Sequence, residues 1–191
     1  MKKIIFSFFV LALSCGVSYG QEEPAAVSEQ LKCFGPFLGN WQYEGPLPED
    51  IEGMAEEGTR LVIQTSLKRI LNGSAVERNW MIKLEGGAEF MGKSLSGWDA
   101  NEEKIVQGRM TSDGGIGLGS VTHDKAAKSL TISLKGVDGE GKETSSKVVM
   151  TKTGKDTYIW QALERNGGLA EGKSPPYEFK RVKRQAKKEG K

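Results

Sequence analysis

Gly39-Asn40-Trp41 places a glycine two residues ahead of a tryptophan, immediately before a long series of strand-like segments. The glycine lets the backbone turn in closely. The indole can then plug one end of a closed sheet, removing on the order of 150–250 Å² from water. The stretch therefore reads as the opening strand of a closed β-barrel.

Outward from it, period-2 alternation bounded by turn residues recurs, with little sign of a helical period. Strands are predicted at 38–44, 59–69, 74–84, 88–98, 104–111, 116–122, 129–136, 143–152, 157–165 and 177–183. The cleanest runs from Ser129 to Gly136, where Leu130, Ile132 and Leu134 share one face and Ser129, Thr131, Ser133 and Lys135 the other. One face is buried and the other wet. Asn72-Gly73 suits a two-residue type I′ hairpin, since both central positions of that turn need positive φ. Asp113-Gly114, Asp138-Gly139 and Gly86-Gly87 punctuate other runs. The acid-rich stretch 46–58, with Pro46 and Pro48, is expected as a long loop with room for one helical turn. The fold class is all-β: a single antiparallel up-and-down barrel of about 8–10 strands.

The ends are of a different kind. Lys2 and Lys3 precede an apolar run from Ile4 to Leu13, and Ser18 and Gly20 stand three and one positions before Gln21. This is the secretory pattern, so 1–20 is expected to be a signal peptide and the protein to be exported, periplasmic or extracellular. The run is too short for a membrane span, which needs about 20 residues. Ala12-Leu13-Ser14-Cys15-Gly16 offers the alternative of a lipoprotein anchored through Cys15. The remaining organisation is a flexible N-terminal segment at 21–33, a barrel domain at 34–184 and a basic tail at 185–191. The leader holds two of the 27 basic residues and none of the 25 acids, so the rest is formally neutral, which argues against a nucleic-acid partner. With Cys15 in the leader, Cys33 is the one remaining cysteine and has no intramolecular partner.

These residues carry a resemblance. Gly39-Asn40-Trp41 on a first strand, followed by an all-β meander, resembles the lipocalin or calycin superfamily. Leu38-Gly39-Asn40-Trp41, Gly97-Trp98-Asp99, Asp113-Gly114-Gly115-Ile116-Gly117 and Tyr177-Glu178-Phe179-Lys180-Arg181 together are similar to a family of bacterial secreted barrels of unknown function. Calycins pair the first-strand tryptophan with a basic residue near the end of the last strand. The resemblance thus implies that Arg181 lies over Trp41 and, with Gly39, closes the barrel. The chain lacks the C-terminal helix and paired cysteines of true lipocalins.

Chemistry-bearing residues are few. His123-Asp124 holds the single histidine, and zinc or haem chemistry normally needs further ligands, so an exposed turn is the expectation. The bare face of Gly115, Gly117 and Gly119 has the wrong spacing for a phosphate loop. It is expected to admit an aromatic ring or a neighbouring strand. No metal, cofactor or catalytic constellation is expected. Arg78 is more informative, because alternation sets it on the face of Val76, Trp80, Ile82 and Leu84. An inward arginine must be paired or must meet a ligand. Phe90 and Trp98 on one strand, and Tyr158 and Trp160 on another, point the same way by alternation. A filled core is favoured over an aromatic-walled cavity on this pattern alone. If a cavity exists, Arg78, Trp80, Phe90, Trp98, Tyr158 and Trp160 would bind a small apolar or amphipathic anionic ligand. The alternative is a non-enzymatic structural or interaction protein of the cell envelope.

Overall fold

The computed structural model describes residues 29–51, 55–167 and 171–182. Residues 1–20, expected to be a signal peptide, with Cys15, and the tail at 185–191 lie outside them. Ten antiparallel strands form a closed up-and-down barrel in which each strand pairs with its neighbours in sequence and the last returns to the first. They are β1 (Gly39–Pro46), β2 (Arg60–Ile70), β3 (Ala75–Leu84), β4 (Glu89–Asp99) and β5 (Lys104–Thr111), then β6 (Ile116–Asp124), β7 (Ser129–Val137), β8 (Glu143–Gly154), β9 (Thr157–Asn166) and β10 (Tyr177–Arg181). Closure leaves no free sheet edge. Ten strands also leave more room inside than the eight that side chains can just fill.

The barrel has two different ends. At one, a 3₁₀ helix, Leu31–Phe37, precedes β1 and buries Leu31, Phe34 and Phe37. The spacing of three matches the three residues per turn of such a helix, so all three rings and chains fall on one face. Trp41 lies beneath it, 1% exposed, and its Nε1–H donates to the Phe37 carbonyl at 2.7 Å. Tyr158 meets Trp41 edge-on at 4.9 Å and stacks on Phe179 at 4.9 Å. These rings form the floor. The other end carries the turns 84–89, 111–116 and 137–143 together with the segments after β1 and β9.

Two local expectations are corrected. Asn72 and Gly73 do have positive φ, 53° and 90°, but Ile70 pairs with Ala75, so the connection is the four-residue loop Leu71-Asn72-Gly73-Ser74. Leu71 is also left-handed at 50°, and the Ser74 hydroxyl donates to the Leu71 carbonyl, which holds the wider turn. In the stretch after β1 the described residues contain no helical turn. Leu47 is buried there, with its N–H donating to Thr59 O, and Ile51 bridges Ala55.

Candidate functional site

A cavity of about 240 Å³ occupies the barrel interior above the aromatic floor and reaches the turn-bearing end. Its two sides differ. Arg78 on β3, Ser94 on β4, and Gln107, Arg109 and Thr111 on β5 make a polar wall, whereas Ile132, Leu134, Val148, Trp160 and Phe179 from β7 to β10 make an apolar stretch on a side that also carries Thr144, Ser145, Ser146 and Arg165; Asp113 and Asp138 line the turn-bearing end. Trp80, Phe90, Ile63 and Ile82 extend the apolar lining on the other flank of Arg78. Such a chamber suits a molecule with one charged and one apolar side.

Arg78 is the centre of the polar wall. Its Nε donates to Thr65 Oγ1 at 3.1 Å, and no carboxylate among the described residues lies within ion-pair distance. Burial pushes the guanidinium below its ordinary pKa, with the nearby Tyr158 acting in the opposite direction. Burial likewise pushes the Tyr158 hydroxyl well up, partly offset by Arg78. That hydroxyl is buried with no hydrogen-bond partner among the described residues, as is Trp160 Nε1. A buried donor without an acceptor costs roughly 1–3 kcal/mol, so the interior holds unused hydrogen-bonding capacity.

Of the residues singled out by alternation, Arg78, Trp80, Phe90 and Trp160 line the cavity together. Tyr158 and Trp98 do not. Tyr158 is wholly buried in the floor between Trp41, Phe37 and Phe179, and Trp98 packs against the core from the closed end of β4. Trp80 and Phe90 lie 5.5 Å apart, and the indole occupies the space over Gly92, where a Cβ would overlap it. At the closure, Trp41 pairs with Arg181 across β1 and β10, and the guanidinium carbon sits 4.0 Å from the indole centroid. Arg181 Nε donates to Asp156 Oδ1 at 2.9 Å and one terminal nitrogen to the Leu38 carbonyl at 2.8 Å. A Cβ on Gly39, whose φ is +117°, would collide with that guanidinium.

Sequence reasoning missed Arg109. Its Nε is buried without a partner. Burial lowers its pKa, the charge of Arg78 adds to that, and Asp113 opposes it. The glycine face of β6 serves it: Arg109 pairs with Gly117, whose Cβ position lies 3.6 Å from the guanidinium. The occupant over Gly117 is therefore an arginine and not an aromatic ring. Gly119 instead admits the neighbouring backbone of β7 at Ser133 and Leu134. His123 is exposed near the end of β6, and no cluster of three metal-ligating side chains occurs among the described residues. Cys33 is half-buried, and burial raises its thiol pKa.

Outside the barrel, β4 to β7 present apolar side chains to solvent. Leu95, Gly108 and Leu118 are in register, as are Met110, Ile116 and Val137, and Leu118 and Met110 are 66% and 65% exposed. No helix among the described residues is long and apolar enough to cross a membrane. No protein-family model matches the chain, and no curated protein matches it.

Proposed function

We propose that this protein is an exported, calycin-like barrel that binds a small amphipathic anion in its interior, with the charged group on Arg78 and the apolar part against Trp80, Phe90 and Trp160. The observation that carries the reading is the buried Arg78 guanidinium, which faces a cavity and has a threonine hydroxyl as its hydrogen-bond acceptor in place of a carboxylate. A buried unpaired cation is costly, and an anionic ligand would offset that cost. The Trp41–Arg181 contact and the ten-strand meander support kinship with calycins and, within them, with the bacterial secreted barrels of unknown function. Export rests on the charged, apolar and small-residue order of 1–20.

Titration with octanoate, followed by tryptophan fluorescence, tests the reading. Saturable change is expected, weakened by Arg78→Met while the far-ultraviolet circular dichroism stays that of the parent. A flat response to octanoate and to other anionic and neutral amphiphiles would remove it.

The second reading, an interaction protein of the cell envelope, is favoured by the apolar outer face of β4 to β7. Exposed apolar surface of this continuity marks contact sites on soluble proteins. Under that reading Leu118→Lys abolishes association with a partner protein and leaves the interior titration unchanged.

A further inference from the structure

Resting on the reading of the interior as an anion site, we infer that its polar wall is a three-point cradle, Arg78, Ser94 and Arg109, built for a tetrahedral oxyanion, so that the ligand is a phosphate monoester carrying a short apolar group.

The geometry is a matter of register. Arg78 pairs with Ser94 across β3 and β4, and Ser94 pairs with Arg109 across β4 and β5. The three therefore stand in one row on the inward face, with the two arginine backbones about 10 Å apart and the serine midway, given strand spacings of about 5 Å. Side chains of arginine length can converge over the serine from both sides. Ser94 is 4% exposed, and its hydroxyl makes no hydrogen bond within the described residues. The next position of the row, on β6, is Gly117, and the one beyond it, on β7, is Gly136, so no side chain competes for the space beside Arg109.

Neither arginine forms an ion pair among the described residues, although the charge of Asp113 acts on Arg109. Arg78 is bonded through Nε to Thr65, and Arg109 Nε is buried with no partner. Asp113, also on the cavity lining, raises the Arg109 pKa by its charge but forms no ion pair with it; its Oδ1 accepts from the Thr111 hydroxyl and the Gly115 N–H in the β5–β6 turn. Arg165, also on the lining, is paired with Glu49 at 2.9 Å and is not free to join the cradle. Burial lowers the Arg109 pKa most; the charge of Asp113 raises it, and that of Arg78, a like charge in the same chamber, lowers it by less.

The number and arrangement of donors select the head group. A carboxylate is planar, offers two oxygens and neutralises one charge. A phosphate monoester carries about −1.5 to −2 at pH 7 and three non-coplanar acceptor oxygens. It can take a forked pair of bonds from each guanidinium and one from the hydroxyl, the geometry in which arginine outperforms lysine. The apolar wall across the cavity then receives the ester group.

Octyl phosphate, octanoate and inorganic phosphate, each titrated against the whole protein by tryptophan fluorescence and calorimetry, test the inference. Octyl phosphate is expected to bind at least tenfold tighter than octanoate and than inorganic phosphate. Arg109→Met and Ser94→Ala should bring octyl phosphate down to the octanoate level while changing octanoate less than threefold, and Arg78→Met should weaken both. If Arg109→Met is poorly folded, Arg109→Lys keeps the charge without the fork and should still lose most of the preference. Affinity for octyl phosphate should also fall as pH drops through its second ionisation near 6. Equal affinity for octyl phosphate and octanoate would overturn the cradle and leave the anion reading standing. Inorganic phosphate binding as tightly as octyl phosphate would overturn the ester and assign the cradle to the free ion. Binding of none of the three would overturn both readings.

Discussion

Replacing Trp41 and Arg181 singly and together tests how the barrel is closed. Trp41 is 1% exposed, edge-on to Tyr158 at 4.9 Å and bonded through Nε1 to the Phe37 carbonyl at 2.7 Å. Its truncation to alanine removes a large buried ring between the 3₁₀ helix and the floor and orphans that carbonyl, so a loss of about 3–5 kcal/mol is expected. Arg181 is different. Its side chain is 30% exposed, and its ion pair with the half-exposed Asp156 is worth well under about 1 kcal/mol. Its position 4.0 Å over the indole contributes about 0.5–2 kcal/mol. The coupling between the two residues should therefore be near 1 kcal/mol, and Arg181→Ala alone should cost much less than Trp41→Ala. Urea unfolding followed by far-ultraviolet circular dichroism measures all four corners of the cycle without relying on the deleted fluorophore. Trp41→Leu serves as a second route, because it keeps apolar volume while removing the aromatic face. Additivity within about 0.3 kcal/mol on both routes would refute the contact as an energetic link between the first and last strands.

Other outcomes follow from single groups. Glu77 on the outer face of β3 is held at a pKa of about 2, below its ordinary 4.5, by hydrogen bonds from Lys68, Asn79 and Lys93; its contribution is full above pH 4.5 and lost as pH falls toward 2, so the stability advantage of the parent over Glu77→Gln should shrink across that window in acid titrations read by urea midpoint. Gly92→Ala puts a Cβ into the Trp80 indole, and a loss of about 1–3 kcal/mol with a shift in tryptophan emission is expected; parental values for both would show that the glycine is not what seats the ring. Thr65→Val takes away the acceptor of Arg78 Nε and should cost about 1–3 kcal/mol by urea unfolding, part of it recovered when Arg78→Met is added.

Much of the scaffold was legible because the relevant signals are local. Alternation and glycine or aspartate turns located ten strands in the observed order, since the period of a strand and the φ demands of a turn act over a few residues. Leu31, Phe34 and Phe37 were not read as an element, although their spacing of three is that of a 3₁₀ helix; Gly35 and Pro36 inside it hid the period. The site was legible where polarity broke an apolar face, as at Arg78 among Val76, Trp80 and Ile82. Arg109 escaped for the opposite reason. On β5 its inward companions are Ile105, Gln107 and Thr111, so a single apolar residue marked that face against Val106 and Met110 on the other. The separation of Tyr158 and Trp98 from the cavity depends on depth along the barrel, which alternation does not encode.

On β4 to β6 part of the usual pattern is reversed. Inward lie Ser94, Ser96, Gln107 and Arg109, while outward lie Met91, Leu95, Met110, Ile116 and Leu118. A slip of one residue on these strands would exchange the two sets, burying the apolar one at the cost of exposing Phe90, Trp98, Ile105 and Val121. The turns oppose the slip. Asp99 Oδ1 accepts the N–H groups of Asn101 and Glu102 between β4 and β5, and Asp113 Oδ1 accepts that of Gly115 between β5 and β6, beside Gly114 at a φ of 90°. The bare position at Gly92, already filled by the Trp80 indole, would also be lost to the wrong face. Local turn chemistry thus helps hold three strands in a register that sets Ser94, Ser96, Gln107 and Arg109 inward and Leu95, Met110 and Leu118 outward. Sequences depart from consistent patterning chiefly at functional sites. On the proposed reading, a lumen that receives an anion gives the inward half of this departure its physical reason, and the Arg78, Ser94 and Arg109 variants are the substitutions through which that reason succeeds or fails.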